Sequence, residues 1–72
     1  MNIATAQLAN ATEDSVDRGM IYANAGALWM AVNCFVYAHL EGDDRAIHCL
    51  RALRPFCDDL QFCDVARDII SR

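Results

Sequence analysis

The chain has 72 residues, 56% of them apolar, and carries a formal charge of −4 from ten acids and six bases, every base being Arg. That length allows one domain, near the size at which a lone hydrophobic core only just offsets conformational entropy, so such domains often lean on disulfides, metals or association. The acidic balance and the lack of Lys exclude a basic phosphate-binding face, a P-loop lysine and Schiff-base chemistry, so direct nucleic-acid binding is not expected.

Residues Met1 to Ala11 (MNIATAQLANA) are small and uncharged, with Ile3, Ala6 and Leu8 as the only anchors, and read as an arm that is a short helix or mobile. A start signal follows. Asn10 can cap a helix whose third position is Glu13, and Glu13, Asp14 and Asp17 suit the positive end of its dipole. From there the sequence predicts one long helix to about Glu41, with Gly42 as its stop. Gly19 and Gly26 fall inside it at about 1 kcal/mol each relative to Ala, which allows a kink or break near Gly19.

Gly19 to Leu40 (GMIYANAGALWMAVNCFVYAHL) contains no charged residue and is apolar on every helical face. One stripe is Ile21, Ala25, Leu28, Val32 and Phe35, the next Tyr22, Gly26, Trp29, Val36 and Leu40, and a third holds Met20, Ala23, Ala27, Met30, Cys34 and Tyr37. The small cluster Ala23, Ala25, Gly26 and Ala27 predicts a helix-crossing point. The run is long enough for a bilayer, but Asn24, Asn33 and His39 would then lie in hydrocarbon, and the flanks lack a basic topology signal. A buried helix outside any membrane is therefore expected.

Asp43 can cap a second helix, Asp44 to Arg54, whose apolar positions Ala46, Ile47, Cys49, Leu50 and Leu53 oppose Asp44, Arg45, His48 and Arg51. Pro55 ends it. Asp58 then predicts a third helix to about Ile70, with Gln61 reaching back to the cap and Cys57 stapled against Phe62. Residues 31–55 (AVNCFVYAHLEGDDRAIHCLRALRP), with a Gly-Asp turn, an Ala soon after it and a closing Pro, resemble a single tetratricopeptide-type helix pair. That resemblance implies a helical hairpin; no second copy follows, and arrays of that repeat need several.

No catalytic, cofactor or metal signature stands in the chain. His39 lies five residues from Cys34, about 140° round a helix, which is poor geometry for a thiolate and its base. His48 and the neighbouring Cys49 point to different faces, there is no Cys-x-x-Cys, and Asp44 with His48 reads as a surface pair. Cys34, Cys49, Cys57 and Cys63 are an even set, but the N-terminal segment lacks the features of a cleavable signal peptide, so reduced thiols in a cytoplasmic protein are expected. The acids Asp43, Asp44, Asp58, Asp59, Asp64 and Asp68 are interleaved with Arg and sit at helix starts, which suits capping better than mimicry of nucleic acid.

The expected fold is all-α in a single domain, residues 1–72: a long central apolar helix with two shorter amphipathic helices folded back on it as a hairpin or three-helix bundle. Two short helices cover about half of the long one. The uncovered stripe predicts an interface at Tyr22, Gly26, Trp29, Asn33, Val36 and Leu40, with Trp and Tyr as anchors. The functional expectation is a small non-enzymatic module that binds a protein partner or itself, as homodimer, adaptor, chaperone or inhibitor, without cofactor, nucleic acid or membrane. The alternative is a redox- or metal-responsive regulator using Cys49, Cys57, Cys63 and His48.

Overall fold

The uncharged run does not fold as one rod. In the computed structural model, which describes residues 3–72, it is divided between α2 (Ser15–Asn24) and α3 (Leu28–Leu40). Gly26 makes the division by taking a left-handed φ of +79°. Two hydrogen bonds close the end of α2 around it, from the Ala27 amide to the Tyr22 carbonyl at 2.9 Å and from the Gly26 amide to the Ala23 carbonyl at 3.0 Å. That pair is a Schellman cap, which leaves the chain free to turn back. Gly42, at φ +91°, ends α3 in the same way, with Asp43 bonded to Ala38 and Gly42 to His39, both at 3.0 Å. The expected continuous helix to Glu41 is thus corrected to two helices packed against each other.

Gly19 stays helical and buried in α2. A Cβ there would meet Phe35 Cε1 of α3 at 2.5 Å, so Gly19 marks a close approach of the two helices. The start of α2 also differs from expectation, because Asn10 belongs to α1 (Ile3–Ala11) and Asp14 is the cap, accepting from the Asp17 amide at 2.9 Å. Met1 and Asn2 of the predicted arm lie outside the described residues. The rest of the arm is α1, docked by a fully buried Ala9. Arg18 reaches from α2 to the carbonyls of Ala9 at 3.2 Å and Thr12 at 2.8 Å, satisfying the end of α1 that would otherwise lack donors.

Across the second turn, the Asp43 carboxylate accepts from the Arg45 amide at 3.0 Å and opens α4 (Arg45–Leu53), which runs into a 3₁₀ turn at Arg54–Phe56. The expected box at Asp58 forms: Gln61 Oε1 accepts from the Asp58 amide at 3.0 Å, and Asp58 accepts from the Gln61 amide at 2.8 Å. It closes a turn instead of starting a helix, and the last helix, α5 (Asp64–Ser71), begins later. Between them Phe62 is fully buried, with the Arg54 guanidinium 5.1 Å from its ring centroid. The core draws on every helix, from Ala9 and Val16 through Tyr22, Val32, Phe35 and Leu50 to Ala66 and Ile69, and no described polar or charged side chain is buried in it. The fold is all-α.

Candidate functional site

A helix apolar on all sides has one face too many for a small core. On α3, Ala31, Val32, Phe35 and Ala38 are buried, and these positions share one side of a 3.6-residue spiral. The opposite side holds Trp29, Asn33, Val36, Tyr37 and Leu40. Trp29 is 55% exposed, Tyr37 58% and Leu40 71%; Asn33 is exposed, and Val36 and Met30 are half-buried at the margins. α3 contains no Asp, Glu, Lys or Arg, and its one basic residue is His39 in the last turn. The exposed Gly26 turn leads into this face, and Glu41, Gly42 and Asp44 follow it.

Of the six residues expected at the interface, Trp29, Asn33, Val36 and Leu40 fall on this one face, and Gly26 lies in the turn at its start. Tyr22 does not join them. It is 5% exposed and packs in the core, because the break at Gly26 resets the phase between α2 and α3. Tyr37 is the residue the sequence reading left out. It follows Asn33 by one helical turn, and that spacing alone places it on the same side.

The two ends of α3 are electrostatically unlike. Its N-terminus has no acid in the first turn and no side-chain cap. Beyond its C-terminus, Glu41 accepts from the Ser15 hydroxyl at 3.0 Å, and Arg45 binds Asp43 at 2.7 Å and Asp14 at 2.8 Å. The Arg45 guanidinium holds the Asp43 carboxyl below the usual carboxylate range. Asp14 is also lowered, first by the Asp17 amide and then by Arg45.

A second apolar surface is a shallow groove of about 350 Å³ between α2, α4 and the 3₁₀ turn, with Met20, His48, Cys49, Ala52 and the 73% exposed Phe56 around it. It brings His48 and Cys49 to one place. All four cysteines are free and half-buried, and burial pushes the Cys34, Cys49 and Cys57 thiols up, which reduces their thiolate fraction at neutral pH. No group of three or more His, Cys, Asp or Glu among the described residues could hold a metal ion. No described helix is long and apolar enough to cross a membrane. No family model matches the chain, and neither a curated protein nor a solved structure matches it.

Proposed function

We propose that this chain is a non-catalytic protein-association module that lays the outer face of α3 against another protein surface. The observation that carries the reading is the exposure of Trp29, Tyr37 and Leu40 along one uncharged side of a helix whose other side is the core. Burying each of these partly exposed side chains against a partner is worth roughly 1–2 kcal/mol, enough in combination to drive association. Trp and Tyr are the residue types that dominate interface energetics. An adaptor, a chaperone of a larger subunit or an inhibitor in the cytoplasm would each use such a surface.

Photo-crosslinking tests the proposal. Benzoylphenylalanine in place of Leu40 is expected to form protein adducts in the native host, whereas the same group in place of Asp68, on exposed α5, is not. Equal adduct yields at the two positions, or none at Leu40, would refute the docking face. A thiol- or metal-responsive regulator built on Cys49, Cys57, Cys63 and His48 has less to stand on, because burial works against thiolate formation at Cys49 and Cys57. Its one supporting feature is the shared groove position of His48 and Cys49.

A further inference from the structure

We propose that α1 is a strap, latched by Arg18 and hinged between Thr12 and Asp14, that lifts off α2 as a unit while the rest of the core stays folded. Of the nine described residues of α1, only Ala9 is buried. The two large apolar side chains of this helix face away from the core, with Ile3 76% and Leu8 57% exposed. Its N-terminal half does not close on α2. A gap of about 400 Å³ lies there, bordered by Ala4, Thr5 and Leu8 of α1 and by Ile21, Asn24 and Ala25 of α2 and its end. The apolar area that docks α1 is therefore small, and so is the stabilisation that scales with it.

The rest of the core does not depend on the strap. The largest fully buried side chains, Phe35, Phe62, Leu50, Ile69 and Val32, all come from α3 onward. Nor does α1 hold itself. It has no acid in its first turn and no base in its last to offset the helix dipole. Nine residues also fall short of the roughly 12–15 at which isolated helices are marginal in water, so α1 melts when it lifts.

What fixes the strap lies at its C-terminal end. Arg18 Nε donates to the Ala9 carbonyl at 3.2 Å and to the Thr12 carbonyl at 3.1 Å, and Arg18 Nη2 donates to the Thr12 carbonyl at 2.8 Å. These charge-assisted bonds run from α2 to the last carbonyls of α1 and exist only while the strap is down. Residues 12–14 belong to no helix and absorb the rotation. Arg18 and Ile21 are three apart on one side of α2. Lifting α1 uncovers Ile21 and frees the Arg18 guanidinium, so the open form presents an apolar strip beside a cation that the closed form holds against its own backbone.

Native-state hydrogen exchange of the full chain, followed amide by amide by NMR at urea concentrations below the unfolding transition, tests the strap. The amides of residues 7–11, bonded within α1, are expected to be protected, yet to exchange roughly a hundredfold faster than those of residues 32–36 in α3. Their rates should change little with urea, because lifting α1 exposes little surface. Arg18→Gln removes the guanidinium fork and is expected to speed exchange in α1 about tenfold while leaving α3 unchanged. Arg72→Gln, whose partner Asp68 lies on α5, should leave both unchanged. Exchange of α1 and α3 at one rate with one urea dependence, or an α1 without any protection in the parent, overturns the strap whether or not the Arg18 variant folds. An α1 that Arg18→Gln does not loosen, or an α3 that it loosens equally, overturns the latch.

Discussion

Gly19 and Gly26 lie in the same uncharged run and do opposite work. Gly19 is a matter of space: its missing Cβ leaves room for the Phe35 ring, whose Cε1 would be 2.5 Å and Cδ1 2.8 Å from an added methyl. Phe35 is 1% exposed. Gly19→Ala recovers about 1 kcal/mol of helix propensity but incurs overpacking of about 1–3 kcal/mol, so a net loss is expected, and Gly19→Val should lose much more. Gly26 is a matter of conformation, with nothing within 4 Å of an added Cβ but a φ of +79°. Gly26→Ala should cost about 1–2 kcal/mol through left-handed strain, with Gly26→Ser close to it, since size has no role there. Urea midpoints of these four variants separate the two causes. A penalty that grows with side-chain size at position 26, or a gain from Gly19→Ala, would contradict the assignment.

Elements were legible where one of their faces is polar. The alternation of Ala46, Leu50 and Leu53 with Arg45, His48 and Arg51 locates α4 to within a residue at each end. In Gly19 to Leu40 every face is apolar, so periodicity carries no sign of the break, and only Gly26 beside the exposed Asn24 signalled it. The same blindness explains Tyr22, which shares a stripe with Trp29 and Leu40 only if the helix is continuous. Within α3 the phase holds, so Trp29, Asn33, Val36 and Leu40 were readable together. At Asp58 the local signal was correct and the long-range one invisible, because Phe62 turns into the core and Arg67 reaches back to the Asp59 carbonyl at 2.8 Å before α5 starts. Electrostatics at element ends gives a further test. Arg45 joins the cap of α2, Asp14, to Asp43 in the turn before α4. Both carboxyls titrate lower in the fold than in the unfolded chain, so their contribution is present above about pH 4 and is lost as pH falls through their folded values. The melting temperature should therefore drop on acidification below about pH 4, and less steeply in Arg45→Gln and in Asp14→Asn, which keeps a capping side chain without the charge. Identical acid slopes in parent and variants would show that the Arg45 bridge has no part in it.

At the scale of the whole molecule, the accessible surface is 4493 Å², close to the roughly 4,450 Å² expected of a compact chain of 8.0 kDa. The exposed apolar face of α3 is therefore not the mark of an unfinished monomer. The core closes without it, through Val32, Phe35, Leu50, Phe62 and Ile69, each less than 2% exposed. Stability and association consequently reside on opposite sides of one helix and should be separable by mutation. Trp29→Ala combined with Leu40→Ser removes the two ends of the exposed stripe, both more than half exposed, and is expected to lower dilute-solution stability by no more than about 2 kcal/mol. The same double variant should lose association with the protein that position 40 crosslinks, as should Val36→Asp, which sets a charge beside Asn33. Asp44→Asn and His48→Ala, on α4 and its approach, should keep both. Urea unfolding of the chain alone and co-sedimentation with that protein read the two properties independently. A larger loss of stability in parallel with association would mean that Trp29 and Leu40 belong to the monomer's own core, and the outer side of α3 would then have no surplus face to offer a partner.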